Sequence, residues 1–348
     1  MLVIQVTFNS KERLKEVLKG FSGKRVLVIG DLMVDHYVET AAKKLSREAP
    51  IPVSDVIAEN SFPGGAANLA ANIASLGGRA AAVGLVGGDH EGDQLKSMLK
   101  MYNVDINGII TTSRPTSLKT RYFLDNRQHF RIDREIRSDA DKNVTNELVN
   151  AVQSYNGKVD CVVVCDYDKG TVTPRLINRT VSFAKSQSIP ITGQPKIKHY
   201  LDFIGFTCIK SNIREASKAT GISIINESSL HNIGIHLMTK TECRTLVLTR
   251  GSKGLMIFEG NNMIQLPALT PSKEFRRAIG IRDAMMAVLS LSIASGANVL
   301  EASILSNIAA AVSRVGAQTL VLSTKDFDEY LYDGKDLKQE VTQVPLHR

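Results

Sequence analysis

The chain has 348 residues, 43% of them hydrophobic, and a formal charge of +8. That is enough apolar material for a large core and argues against a disordered chain. No run approaches the roughly 18 apolar residues of a membrane span, so a soluble protein is expected.

The basic balance admits nucleic acid or small anions as partners. Lys and Arg are spread along the chain, Trp is absent and aromatics make up only 5%. No nucleic-acid motif occurs, so a phosphorylated metabolite is the expected partner, with neither nucleic acid nor membrane. A nucleic-acid accessory role would rest on net charge alone.

In chain order, Asn9-Ser10 followed by Lys11, Glu12, Arg13, Lys15 and Glu16 predicts a capped amphipathic helix within residues 1–22, not a signal peptide. Arg25 to Gly30 reads as a buried strand, Ala66 to Leu76 as a helix, Ala80 to Leu85 as a strand, and Val86 to His90 as a turn. Val159 to Cys165, Pro190 to Gly193, Thr207 to Ile209 and Thr245 to Thr249 repeat the strand pattern with helices between. This rhythm predicts an α/β fold over residues 23–324, with a mainly parallel sheet covered by helices on both faces. Cys161, Cys165, Cys208 and Cys243 have no CxxC spacing, so buried reduced thiols in a cytoplasmic chain are expected.

Two stretches break the rhythm. Ile51 to Val56 and Ser117 to Asp133 alternate like exposed strands, the second with an Asp125-Asn126 turn. They predict a small β-lid (about residues 45–57 and 117–134) over the carboxyl ends of the main strands. Residues 325–348 form a charged tail of accessory character.

No Walker A loop (GxxxxGK(S/T)) or GxGxxG fingerprint occurs. Three constellations remain. Gly30-Asp31 and Asp35, followed by Pro63-Gly-Gly-Ala-Ala-Asn68, place carboxylates and an amide beyond strand ends, where sugar hydroxyls bind in such folds. Asn212-Ile-Arg-Glu215 sets an amide and an acid at a helix start, as a cap or as organisers of magnesium and phosphates. Gly280-Ile-Arg-Asp283 opens an almost wholly apolar helix to Ile293, whose free amides suit an anion and whose Asp can act as a base. Helix capping explains either of the last two equally well.

Taken together, these residues resemble the ribokinase-like (PfkB-type) carbohydrate kinases, in particular the heptose-7-phosphate kinase branch. The likeness runs from about Arg25 to Leu320. It is carried by Gly30-Asp-Leu-Met-Val-Asp35, Leu45-Ser-Arg-Glu-Ala-Pro-Ile-Pro-Val53, Gly64-Gly-Ala-Ala-Asn68, Lys119-Thr-Arg121 with Arg131-Ile-Asp133, Asp166-Tyr167 with Lys169-Gly170, Pro195-Lys196, and Asn212 with Glu215. The resemblance implies a ribokinase-like fold and ATP- and Mg2+-dependent phosphorylation of a sugar phosphate. D-glycero-D-manno-heptose 7-phosphate at its anomeric hydroxyl is the substrate it points to. Asp31, Asp35, Gly64, Gly65, Asn68 and Asp166 would then belong to the sugar site. Lys119, Arg121, Arg131 and Lys196 would be candidates for a substrate phosphate. Asn212 and Glu215 would organise magnesium, Glu215 indirectly, and Thr249, Gly251, Gly254 and Asn307 would hold the nucleotide. Asp283 would be the base, with Gly280 and Arg282 beside it. Relatives also imply a homodimer formed through lid strands. Many members of the branch carry a nucleotidyltransferase domain, and this sequence is expected to provide the kinase part without it.

The chain departs from that pattern at its strongest signature, an Asp-x-Thr-Gly-Ala-Gly-Asp-Thr-like run. Here Arg277 replaces the leading acid, Ile279 and Ala284 replace the threonines, and Arg282 replaces the second glycine. Gln194 stands for an acid and Asp168 for a glycine. Such concentrated change makes a pseudokinase, a sensor or scaffold that keeps ligand binding without turnover, the competing reading.

Overall fold

The computed structural model describes residues 4–8, 11–125, 127–269, 279–313, 319, 321–332 and 339–345. Asn9, Ser10, Asn126 and Arg277, which entered the sequence argument, lie outside them. The chain opens with strand β1 (Ile4–Phe8) and helix α1 (Lys11–Lys19), so the helix expected over 1–22 occupies only its centre. Strand β2 (Arg25–Gly30) leads into two long strands, β3 (Leu32–Leu45) and β4 (Pro52–Gly65), and then helix α2 (Ala66–Ser75). Next come β5 (Arg79–Gly87), α3 (His90–Met101), β6 (Asp105–Thr112), and the hairpin β7 (Ser117–Leu124) and β8 (Arg127–Arg134). The middle of the chain alternates α4 (Lys142–Gln153), β9 (Cys161–Cys165), α5 (Pro174–Ser186), β10 (Ile191–Gln194), β11 (Cys208–Asn212), α6 (Ile213–Thr220), α7 (Glu227–Thr241) and β12 (Thr245–Thr249). It ends with the hairpin β13 (Leu255–Glu259) and β14 (Asn262–Leu266), helices α8 (Ile281–Ala294), α9 (Val299–Val312) and α10 (Asp328–Leu331), and strand β15 (Gln339–Pro345).

The main sheet has the order β1-β15-β14-β13-β12-β11-β10-β9-β2-β5-β6. From β12 to β6 every pairing is parallel, and from β12 outward to β1 every pairing is antiparallel. Strand periodicity splits β2 between two cores. Val26 and Val28 join the core under α1, α2, α3, α8 and α9, while Leu27 and Ile29 join the core under α4, α5, α6 and α7. The tail read as accessory instead supplies an interior strand of the sheet, since β15 pairs with β14 on one side and with the edge strand β1 on the other. All four cysteines are buried and free. Among the described residues no helix is long and apolar enough to cross a membrane.

The lid is a separate four-stranded sheet of order β4-β3-β7-β8. It is larger than the sequence patterns indicated, because β3 and β4 extend back to the main sheet. Alternation places Met33 and Asp35 of β3, Lys119 and Arg121 of β7, and Arg131 of β8 along one cavity wall. Register sets Asp35 opposite Lys119, Lys119 opposite Asp133, and Arg121 opposite Arg131.

Candidate active site

The lid face, the loop after β9 and the start of α8 enclose a cavity of about 390 Å³, lined by Asp35, Lys119, Arg121, Arg131, Tyr167, Lys169, Lys196 and residues 279–283 among others. Its charges are cross-braced. Arg121 Nη1 donates to Asp35 Oδ1 at 2.7 Å, and Thr319 Oγ1 donates to Asp35 Oδ2 at 3.0 Å. Arg131 grips Asp133 with two donations at 2.7 and 2.9 Å, while Lys119 donates to Asp133 and to Glu135. Lys169 donates to Glu135 as well. Burial would raise the Glu135 carboxyl, but hydrogen bonds from Lys169 and Lys119 outweigh it and hold the group down at about 2.

Asp283 lies in the first turn of α8, the helix whose apolar surround fixed it as buried. Gly280 precedes it at φ 89°, a left-handed conformation that a side chain would strain. The Tyr167 hydroxyl donates to Asp283 Oδ1, and Asn68 Nδ2 donates to Oδ2 at 3.3 Å. Burial pushes the Asp283 carboxyl up, which strengthens it as a proton acceptor. Burial, then the Asp283 charge, also raises the Tyr167 phenol well above its usual range, so it remains a donor.

A second cavity, of about 270 Å³, lies on the other side of the α8 start. It is lined by Thr249, Gly251, Ser252, Gly254, Leu255, Ala268, Leu269, Met285, Asn307, Ala310 and Ala311, together with Ile281 and Arg282. Ile281 and Arg282 therefore face both cavities. Asn307 is fixed by donating to the Pro267 carbonyl at 2.8 Å.

Glu215 closes this junction from β11 and α6. With Asn212 it forms a capping box: Asn212 Oδ1 accepts from the Glu215 amide at 2.8 Å, and Glu215 Oε2 accepts from the Asn212 amide at 3.4 Å. Oε1 accepts from the Lys196 ammonium, and Oε2 from Arg282 Nη2 at 2.8 Å. Burial would raise Glu215, but Arg282 and then Lys196 hold it below its usual value. The carboxylate expected to organise Mg2+ indirectly thus already accepts from two cations and a backbone amide, and does not fit a divalent ion as a direct ligand.

Of the residues singled out in the sequence, Asp35, Gly65, Lys119, Arg121, Arg131, Lys196, Gly280, Arg282 and Asp283 meet at the charged cavity. Thr249, Gly251, Gly254 and Asn307 meet at the other. Four stand behind the wall. Asp31 accepts the backbone amides of Tyr167, Lys169 and Thr171 at 2.7, 3.1 and 3.0 Å, so it anchors the loop rather than facing a sugar. Asp166 accepts the Asp168 amide at 2.8 Å, and burial, then Asp31, pushes its carboxyl up to about 7. Asn68 supports Asp283, and a side chain on Gly64 would meet the Asp35 carboxylate at 2.8 Å. Gly65 itself adopts φ 56°, where a Cβ would lie 2.7 Å from the Asp31 carbonyl.

The sequence argument missed Tyr167, Lys169 and Lys210 as site residues. Lys210 is 1% exposed and donates to Gln194 Oε1 at 3.0 Å and to the Arg282 carbonyl at 3.2 Å. Burial, then the Arg282 charge, lowers its ammonium to about 8. A lysine inside the apolar strand Cys208-Ile-Lys-Ser was the available signal.

Comparison with known proteins gives a consistent placement. The pfkB family carbohydrate kinase model matches residues 24–324. The chain is 35% identical over 309 residues to the bifunctional protein HldE of Helicobacter hepaticus, covering 88% of this chain and 64% of that protein. It is 36% identical over 298 residues to the bifunctional protein HldE of Geobacter sulfurreducens, covering 84% and 60%. The chain therefore spans less than two thirds of the length of these relatives. In fold it resembles phosphofructokinase-2 from Escherichia coli, solved with potassium, at a TM-score of 0.73 and 19% identity, covering 89% of this chain and 99% of that one. Arabidopsis thaliana ribokinase complexed with ribose and ATP follows at a TM-score of 0.68 and 16% identity, covering 89% and 99%.

Proposed function

The chain belongs to the pfkB family of carbohydrate kinases, and from that premise we propose that it transfers the γ-phosphoryl group of ATP to a hydroxyl of a sugar phosphate. The observation that carries this reading is the position of Asp283, on the wall of the charged cavity in the first turn of the helix that separates it from the second cavity. The paired arginines of the lid suit the phosphate of the sugar, because a planar guanidinium makes two charged hydrogen bonds at once. The second cavity, lined largely by Leu, Ala, Met and Ile, suits a flat purine, with Asn307 and Thr249 for its polar edge. The sequence resemblance supports a heptose 7-phosphate, phosphorylated at the anomeric hydroxyl, as the acceptor.

In that reaction the acceptor oxygen bonds to the γ-phosphorus as the bond to the bridging oxygen breaks, and ADP leaves. The acceptor proton passes to Asp283, while the α8 amides and Arg282 stabilise charge on the transferring group. Tyr167 and Asn68 orient the Asp283 carboxylate. The lid, one wall of the cavity, would exclude water. The test is sugar-dependent ADP release from ATP. Release with heptose 7-phosphate that disappears in Asp283→Asn, with sugar-phosphate binding retained, is expected. Normal turnover by that variant would remove Asp283 from the chemistry.

A second reading, ligand binding without turnover, is favoured by one observation: Arg282 spends a donor on Glu215 where the family pattern has a glycine. No ADP release, with calorimetric binding of the sugar phosphate intact, would establish it. We also propose a homodimer through the lid, whose Leu45, Ile51, Val56, Ile57, Phe130 and Ile132 are all more than half exposed. Sedimentation should show a dimer that Phe130→Asp converts to monomer; a wild-type monomer would exclude it.

A further inference from the structure

The charges at the junction of the two cavities point to a metal-free way of holding polyphosphate. Lys196 and Arg282 pair there with Glu215, and the buried Lys210 donates to the Arg282 carbonyl, next to Asp283 in sequence. Glu215 is thus already neutralised by two cations, which leaves little negative charge there for a divalent cation and favours an anion instead. The carboxylate oxygens are also engaged: Glu215 by Lys196 and Arg282, Asp283 by Tyr167 and Asn68. Arg282, by contrast, is free to serve. Its side chain is 38% exposed, it lines both cavities, and one donation to Glu215 leaves most of the guanidinium's donors available.

We infer that Arg282, aided by Lys196, takes the place of the divalent cation: a nucleoside di- or triphosphate binds across the junction as the free anion, without Mg2+. Glu215 then holds the Arg282 guanidinium in place and does not organise a metal. The inference rests on the reading of the apolar cavity as a nucleotide site. Chelation of the phosphates by Mg2+ removes charge that Arg282 and Lys196 would otherwise meet, so Mg2+ weakens binding or leaves it unchanged.

The experiment is calorimetric titration of the full chain with ATP and with ADP, once in EDTA and once in excess Mg2+. The expected result is an affinity in EDTA equal to or tighter than that in Mg2+. Glu215→Gln provides the second arm, because it opposes the two roles of that side chain. Freed from Glu215, Arg282 should bind ATP in EDTA as tightly as wild type or more so. Arg282→Gly should lose tenfold or more of the EDTA affinity and bind more tightly when Mg2+ is added. Affinity that is tighter in Mg2+ than in EDTA for the wild-type chain would overturn the inference while leaving the nucleotide reading standing, and its loss in Glu215→Gln would return Glu215 to a metal-organising role. No binding of either nucleotide under either condition would overturn both.

Discussion

The two cavities on either side of α8 are built from opposite materials. One is a lattice of charged side chains, in which Arg121, Arg131, Lys119 and Lys169 are each tied to a carboxylate. The other is lined by Leu255, Leu269, Met285, Ala310 and Ala311 with few polar groups among them. The difference teaches where specificity and where affinity come from. The charged wall can be rebuilt around any anion that satisfies its forks, but only at a high cost for each unpaired charge. The apolar wall selects by shape, and each of its contacts is worth little alone.

The sharpest way to break the comparison is to unpair one charge. Arg121 and Asp35 are both nearly buried, with side chains 8% and 5% exposed. Arg121→Ala should therefore cost about 3–5 kcal/mol of stability, since it strands Asp35 inside the lid. The double variant with Asp35→Asn should recover a large part of that loss. Chemical denaturation of the four proteins measures it, and a cost below about 1 kcal/mol would show that water reaches the pair.

The apolar side is probed by filling it. Ala310→Phe should project a ring into the second cavity and weaken ATP binding at least about tenfold, or about 1.4 kcal/mol, with sugar-phosphate binding unchanged. Titrating the variant with each ligand separately tests whether the cavities act independently. An equal loss for both ligands would mean that they share one site across Arg282.

What could be read from the sequence follows the same division. Strands β2, β9 and β12 were visible because they are short apolar runs buried on both faces. Strand β3 escaped because its fourteen residues change surroundings, from buried Leu32 and Met33 at one end to exposed Lys43 and Lys44 at the lid tip, with two register shifts against β4. Arg121 and Asp35 were legible as a cationic and an anionic candidate, but their pairing depends on β3 lying parallel to β7, which no local pattern states. Asp31 shows the limit most clearly. An acid at a strand end looks like a ligand group, and only the folded loop from Tyr167 to Thr171 reveals that three backbone amides already occupy it.

That loop yields the smallest of these effects, and one that tells the two carboxylates behind it apart. Asp166 is 1% exposed and its carboxyl is pushed up to about 7 by burial and, second, by Asp31. The folded chain therefore holds this proton more tightly than the unfolded chain, whose carboxyl has an ordinary value near 3.9. Stability tied to Asp166 is fully present below that ordinary value, and it is lost as the pH rises through about 7. Asp166→Asn keeps one acceptor for the Asp168 amide and cannot ionise. Relative to wild type, the variant should gain Tm between pH 5 and pH 8, by on the order of 2–4 °C. Asp31→Asn should instead lower Tm at both pH values, because it removes acceptor capacity from the amides of residues 167, 169 and 171. Melting curves of both variants at the two pH values separate the roles. A pH-independent gap between Asp166→Asn and wild type would show that Asp166 does not carry this pH dependence.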